Sequence, residues 1–391
     1  MKRVKDPDAV FMRMALREAC KGLGRTSPNP AVGSVVVRDG RVIARGYHKK
    51  AGTPHAEVHA LREAGENARG ATIYVTLEPC NHTGLTPPCT SAILEYGIRR
   101  VVVGMIDPNP HVAGSGCAFL RNNGIEVRAE VLANECRELN YPFIKHITTG
   151  LPWVIMKAGC SLDGRIAAAN GHSSWITCEK SRAEVHRIRN RVDAILIGAG
   201  TALADDPSLT TRLKGKRGRD PLRIVLDGKL RLNPGARMLM QQSTAPTWIF
   251  CSHQADPAKA DALEKAGAKI IRVDSGKDGY LDLLQVLKFL GAAQINCLLV
   301  EGGSQVHGSF LRAGLVDQVC LFLAPLFLGG DAVPVVDSLK LARVQEGKRF
   351  VTRRIRRFDD DVLIDGVFTS AGRNFLQSGA QRDNLMENAF E

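Results

Sequence analysis

A chain of 391 residues with 44% hydrophobic content is long and apolar enough for two or three packed domains. Its ten cysteines follow no regular spacing, which argues against a secreted disulfide framework and points to the cytoplasm, and its charged N-terminus holds no apolar run long enough for a signal peptide or a membrane span. The formal charge of +13 suits acidic partners such as phosphorylated metabolites, dinucleotides or nucleic acid, with a solvated basic surface as the alternative; 5% aromatic content, without arginines alternating with rings, weighs against a single-strand stacking platform.

The predicted elements begin with an amphipathic helix over residues 7–21, ended by Gly22. A turn-rich loop, Ser27-Pro28-Asn29-Pro30-Ala31-Val32-Gly33, feeds a strand at 34–37. The turn Arg38-Asp39-Gly40-Arg41 leads back through a second strand at 42–46 to His48. This hairpin carries Asn29 and His48 toward the elements that follow, where both can hydrogen-bond a substrate; plain turn chemistry is the alternative for Asn29.

Thr53-Pro54-His55-Ala56-Glu57 opens the next helix, because proline suits a first turn, and the stretch HAEVHALREAG ends at Gly65. A strand rich in β-branched residues follows at 71–77 and stops at Glu78-Pro79-Cys80. Another helix, after Pro87-Pro88, carries Cys89 in its first turn and ends at Gly97. One imidazole, two thiols and a carboxylate two residues from the imidazole are what zinc-assisted deamination of a nucleobase ring requires. Three protein ligands, His55, Cys80 and Cys89, leave the fourth position of zinc to a water. The pKa of that water falls toward about 7, and Glu57, which is not a ligand, can carry its proton to the leaving amine. The two helix N-termini favour the thiolate forms.

Three other readings stay open. His55 and His59 stand at the i, i+4 spacing of a zinc protease, although the glutamate comes one residue too late for that motif. A structural zinc would recruit a fourth ligand, His59 or His82. Cys80 and Cys89 could also be simple buried thiols.

Residues 100–105 read as a strand, and Ile106-Asp107-Pro108-Asn109-Pro110 as the loop leaving its end. Ligands of α/β sheets gather at the carboxyl ends of strands, so Asp107 and Asn109 are candidates for reading an amino-substituted ring or a ribose, with turn capping as the alternative. Gly114 and Gly116 open a helix, and 124–127 look like the last strand of this half. Residues 140–152, with a Thr-Thr-Gly-Leu-Pro run, read as the junction between domains.

Beyond the junction, strands at 153–158, 194–197, 223–226, 247–251, 269–273, 297–300 and 319–323 alternate with helical stretches. That alternation argues a largely parallel, doubly wound sheet, closed by a hairpin of 352–358 with 362–368. Gly198-Ala199-Gly200-Thr201 is a weak phosphate signal without a third glycine at the dinucleotide spacing. Val300-Glu301-Gly302-Gly303-Ser304-Gln305 is better placed, between a buried strand and a helix whose free N–H groups make an anion site; a ligand-free tight turn is the alternative. The basic run at 212–219 could approach a phosphate, or be solvated.

The ordered set SPNPAVG, GYHKKAGTPHAE, TLEPCNHTGLTPPC and MIDPNPHVAGSG resembles the deaminase half of the bifunctional riboflavin-biosynthesis deaminase/reductases. LPWVIMKAGCSLDGRIA, SSWIT, GAGTALADDPSLTTR and VEGGSQVHGSFL resemble the reductase half, which is similar to dihydrofolate reductase and uses NADPH. The resemblance covers residues 6–368. It implies an α/β chain with a cytidine-deaminase-like zinc domain at 1–148 and a dihydrofolate-reductase-like, doubly wound domain at 149–370; the tail at 371–391 has no counterpart in that pattern and reads as disordered or helical.

In that reading Zn2+ is held by His55, Cys80 and Cys89, and NADPH by Gly159, Trp175, Thr201, Asp205, Gly303, Ser304 and Gln305. Asn29, His48, Asp107 and Asn109 serve the deaminase substrate, and Ser173, Arg189, Leu209, Arg212 and Glu301 the reductase substrate. Arg189 and Arg212 suit a ribose phosphate as guanidinium forks, solvated arginines being the alternative.

The implied reactions are deamination of 2,5-diamino-6-ribosylamino-4(3H)-pyrimidinone 5′-phosphate, then NADPH reduction of the ribosyl to a ribityl chain, in a homo-oligomer with no membrane partner. A zinc deaminase acting on RNA and a non-catalytic zinc-stabilised binding protein are the competing functions. Departures from the family pattern are local: Thr83 and Leu85 in the zinc loop, Ser115 where lysine is common, and Gly228 where serine or threonine often follows Leu-Asp.

Overall fold

The computed structural model describes residues 6–83, 87–109, 112–215, 218–276 and 279–368. Leu85, Pro110, positions 216–217 of the basic run and the tail at 371–391 lie outside them. The chain forms two compact units, Met1–Gly150 and a second that starts at Leu151.

The first unit runs α1 (Pro7–Cys20), β1 (Gly33–Arg38), β2 (Arg41–Tyr47), α2 (Ala56–Ala64), β3 (Thr72–Leu77), α3 (Cys89–Glu95), β4 (Arg100–Met105), α4 (Ser115–Asn122), β5 (Glu126–Arg128), α5 (Ala133–Leu139) and α6 (Tyr141–Thr149). Its sheet has the order β2-β1-β3-β4-β5, antiparallel through β2, β1 and β3 and parallel from β3 to β5. Helices pack on the sheet so closely that a Cβ at Gly46 would meet the Ala56 carbonyl oxygen at 2.3 Å, and only glycine lets the start of α2 sit there. Asp6 caps α1 through its bond from the Asp8 N–H. Buried Asp8 then accepts two 2.8 Å bonds from Arg100 and one of 2.8 Å from the Tyr74 hydroxyl, tying α1 to β3 and β4.

The junction expected at 140–152 does hold the boundary between the units, at Gly150 and Leu151, and much of it is helical. Tyr141–Thr149 is helix α6, with Pro142 tolerated in its first turn and Gly150 closing it at φ 72°. Its proline and β-branched threonines read locally as turn chemistry, while the buried faces of Tyr141 and Ile144 decide for the helix.

The second unit runs β6 (Trp153–Ser161), β7 (Arg165–Ala167), α7 (Glu179–Arg189), β8 (Ala194–Gly198), α8 (Ala199–Asp205), β9 (Leu222–Leu226), α9 (Arg237–Met240), β10 (Thr247–Ser252), α10 (Pro257–Lys265), β11 (Ala268–Val273), α11 (Leu283–Ala292), β12 (Cys297–Gly302), α12 (Ser304–Arg312), β13 (Gln318–Ala324), β14 (Val333–Pro334), β15 (Phe350–Phe358) and β16 (Asp361–Phe368). The order β11-β10-β9-β8-β12-β6-β13-β16-β15 is parallel through β13 and antiparallel in the final hairpin. Val154, Leu196, Ile224, Phe250, Leu298 and Val300 belong to its core, as continuous apolar runs buried on both faces should. Both units are α/β, and the second has the expected doubly wound sheet. Among the described residues no helix is long and apolar enough to cross a membrane.

Candidate active sites

His55 is the N-cap residue of α2 and Cys89 the first residue of α3, so two helix N-termini open on one point beside Cys80, which follows β3. His55 Nδ1 lies 3.1 Å from Cys89 Sγ and 3.5 Å from Cys80 Sγ, and all three ligand atoms fall within 4.8 Å of one another. Tetrahedral zinc sets nitrogen and sulfur ligands about 3.6 Å apart, so the three side chains fit that metal. Among the described residues the group takes in neither His59 nor His82, which leaves a position for water and argues against a structural zinc. The Cys89 backbone N–H donates to Cys80 Sγ at 3.3 Å. The bond from the Cys89 thiol holds Cys80 well below the usual thiol range and pushes Cys89 up, so the pair shares a proton that a metal would displace.

Glu57 sits in the first turn of α2 and is 3% exposed. Burial pushes its carboxyl up to about 7 against the opposing effect of His55, close to where a proton carrier works best at neutral pH. The cleft around it, about 240 Å³, is lined by Asn29, His48, Asp107, His82 and Phe143 among others. Asn109 is not part of that lining; its backbone N–H donates to Asp107 Oδ1 at 2.9 Å, so the Asp107 side chain caps this turn while also lining the cleft.

Sequence reasoning missed Glu78. Its buried carboxylate accepts the N–H groups of Asp107 at 3.1 Å, Gly114 at 2.9 Å and Cys117 at 2.9 Å, clamping the loop after β4 against the metal site. A carboxylate closing an apolar strand was the signal available.

In the second unit a cleft of about 910 Å³ is lined by Gly159, Ser173, Thr201, Asp205, Glu301, Gly303, Ser304 and Gln305. Gly303 stands at φ 82° before α12, where a Cβ would meet Thr201 Oγ1 at 3.1 Å. The Ser304 hydroxyl is buried and bonds nothing among the described residues. An orphaned hydroxyl and free N–H groups at a helix start fit a dinucleotide phosphate, as NADPH requires.

Four expected residues lie outside this lining. Trp175 is 75% exposed, with the Arg182 guanidinium 4.3 Å from its ring centroid. Leu209 is 4% exposed in left-handed backbone at φ 53°, so its side chain packs inward. Arg212 is exposed, and its backbone N–H donates to His186 Nδ1 at 3.2 Å.

The Arg189 fork is engaged within the protein. It grips Glu301 through two bonds of 2.7 and 2.8 Å and spends a third N–H on the Thr210 carbonyl oxygen at 3.1 Å. The reason is burial: a carboxylate 6% exposed needs a counter-charge, and the neighbouring helix supplies it. Lys157, also missed, lies 3.7 Å from the same carboxylate and lines the cleft. A lone lysine inside the apolar strand WVIMKAG was the signal. In the basic loop, Lys214 pairs with Glu179 and Arg219 with Asp193, so both are engaged.

A family profile for the cytidine and deoxycytidylate deaminase zinc-binding region matches residues 5–105, and one for the RibD C-terminal domain matches residues 152–364. The riboflavin biosynthesis protein RibD of Escherichia coli is 41% identical, covering 91% of this chain and 98% of its own length. The chain belongs to the RibD family. RibD of Bacillus amyloliquefaciens is 43% identical over 84% of this chain and 87% of its own.

Among solved structures, Acinetobacter baumannii RibD superposes with a TM-score of 0.84 at 36% identity, over 93% of this chain and 99% of that one. A diaminohydroxyphosphoribosylaminopyrimidine deaminase/5-amino-6-(5-phosphoribosylamino)uracil reductase of Thermotoga maritima gives 0.81 at 40% identity, with the same coverage. The RibD relationship makes this chain a bifunctional riboflavin-biosynthesis enzyme, a zinc-dependent deaminase joined to an NADPH-dependent reductase. The RNA-deaminase and binding-protein readings are thereby set aside.

Proposed function

We infer that the first unit deaminates 2,5-diamino-6-ribosylamino-4(3H)-pyrimidinone 5′-phosphate and that the second reduces the ribosyl group of the product with NADPH. The observation that carries the first step is the convergence of His55, Cys80 and Cys89 beside buried Glu57. Zinc supplies, when bound, an acidified water as nucleophile. Glu57, its carboxyl raised by burial, would carry a proton from the attacking water to the departing amine. Asn29 and Asp107 line the cleft where the pyrimidine ring has to lie.

In the second unit NADPH supplies hydride. The start of α12, with Gly303, Ser304 and Gln305, holds its phosphates, and Thr201 and Asp205 line the same cleft. Lys157 and the Arg189-held carboxylate of Glu301 meet the substrate and orient its sugar carbon toward the donor. Burial raises the Glu301 carboxyl, but the Arg189 and Lys157 charges outweigh it and hold the group at about 2, so it acts as a fixed anion. A homo-oligomer is the assembly we assign, to be read by sedimentation.

The test is ammonia release from the diaminopyrimidine ribotide by zinc-loaded protein, followed by NADPH consumption read by absorbance. Glu57→Ala should keep zinc and NADPH oxidation on the deaminated ribotide while ammonia release falls by about 10²- to 10⁴-fold. Ammonia released at the parental rate by that variant would remove Glu57 from the chemistry.

A further inference from the structure

We propose that His307 is a positioning residue of the reductase: its imidazole latches the segment at 332–338 across the first turns of α12 and so fixes one wall of the cofactor cleft. The proposal rests on the reductase reading above. It gives His307 a role exerted through the fold, since the ring borders the cleft but is 1% exposed and has no free face for a ligand.

That wall is built by β7 and β14, which pair Val333 with Ala167 and Pro334 with Arg165 as a two-stranded ribbon outside the nine-stranded sheet. Ile166, Ala167, Val333, Pro334 and Asp337 line the cleft together with Gly303, Ser304 and Gln305 at the start of α12. An isolated ribbon of this kind is at best marginally stable in water, so other contacts must hold it in place. Val336 packs on the hydrophobic core and sets how deep the segment sits. Its register along α12 is set by one stripe of that helix.

Positions 304, 307, 308 and 312 follow the three- and four-residue spacing of a single helix face. The Ser304 carbonyl oxygen accepts the Asp337 N–H at 3.1 Å. His307 Nδ1 lies 3.0 Å from the Val335 carbonyl oxygen, and because a carbonyl only accepts, Nδ1 is the donor. Arg312 Nη1 donates to the Ser338 carbonyl oxygen at 2.6 Å, at the surface where water competes. Gly308 permits the close approach: a Cβ there would meet Asp337 Cβ at 3.1 Å and the Asp337 carbonyl oxygen at 3.2 Å. On its other side the segment is tied to the turn after β6, where the Val335 N–H donates to the Gly164 carbonyl oxygen at 2.8 Å. One helix thus carries both the phosphate cradle and the latch. The wall stands at a set distance from the cradle before NADPH arrives, and binding proceeds without the entropy of ordering it.

The first test is amide hydrogen exchange of the protein without cofactor or substrate, so its outcome is independent of the reductase reading. In His307→Leu the Val335 and Asp337 amides should exchange about two- to tenfold faster, the scale of one neutral hydrogen bond, while those of β8 and β12 keep the parental rate. His307→Asn, whose side-chain amide can keep a donor toward Val335, should return most of the protection. Unchanged exchange in His307→Leu, equal acceleration in β8 and β12, or no rescue by His307→Asn overturns the latch.

The second test is steady-state kinetics of NADPH oxidation on the deaminated ribotide, with ammonia release as the control. His307→Leu should raise the NADPH KM by about two- to tenfold with kcat unchanged, the signature of lost binding rather than lost chemistry. Gly308→Ala reaches the same segment by another route. Alanine is the better helix former, yet its Cβ presses on Asp337, so KM should rise without a fall in Tm. A kcat that falls while KM holds, or a parental KM in Gly308→Ala, would overturn the assignment.

Discussion

Replacing Arg189 by methionine removes the guanidinium that neutralises Glu301 and leaves that carboxylate, 6% exposed, with Lys157 at 3.7 Å as its remaining counter-charge. Breaking a buried ion pair from one side costs about 3–5 kcal/mol, and the surviving lysine places this case at the lower end. The pair's own electrostatics agree. Holding the Glu301 carboxyl at about 2 rather than at its ordinary 4.5 corresponds to about 3 kcal/mol.

Calorimetric or urea unfolding should show this loss, as a fall in Tm of roughly 6–12 °C for a domain of this size. The sign with pH follows from a folded-state value below the unfolded one. The contribution is complete above pH 4.5 and fades as pH falls toward about 2, so Arg189→Met should lose less stability than the parent across that acid window. Removing both charges, with Arg189→Met and Glu301→Gln together, should recover part of the stability: Lys157 then loses its counter-charge, but burial already lowers its pKa and lets the amine shed its proton. A single variant within about 1 kcal/mol of the parent, or a double variant as unstable as the single, would refute the reasoning.

Glu78→Gln replaces one of two accepting oxygens by a donor, so at least one of the N–H groups of Asp107, Gly114 and Cys117 loses its partner. A stability loss of about 1–3 kcal/mol should accompany a raised deaminase KM, with NADPH oxidation unchanged; an unchanged KM would show that the clamped loop does not position substrate. Gly228 lines the reductase cleft, and a Cβ there would meet Leu281 Cδ2 at an ordinary 3.6 Å, so serine fits. Gly228→Ser should tighten NADPH binding by about two- to tenfold, read by fluorescence titration, and unchanged affinity would place the cofactor elsewhere.

The metal site was legible because its chemistry is carried by residue type at short spacing. His55, Glu57, Cys80 and Cys89 occupy two helix starts and a strand end whose positions follow from proline and from apolar periodicity. The strands of the second unit were legible for a similar reason. A parallel sheet buried on both faces leaves continuous apolar runs, and the folded strands extend the expected ones by only a few residues. Helix α6 was hidden because a proline and two threonines speak locally for a turn, and only burial of Tyr141 and Ile144 outweighs them.

The amino-acid order by itself determined which groups could do the chemistry: a zinc trio, a carboxylate beside it and a glycine turn before a helix. Which way individual side chains face was decided only in the folded chain. Arg189 and Arg212 are both arginines in plausible phosphate positions, yet one is consumed by a buried glutamate from β12 and the other stands in solvent. His48 shows the same limit, since the Pro54 carbonyl and the Asn29 amide occupy both of its nitrogens. Hydrogen-bond and charge satisfaction depends on residues far apart in the chain, and no local pattern encodes a partner brought in by another strand or helix.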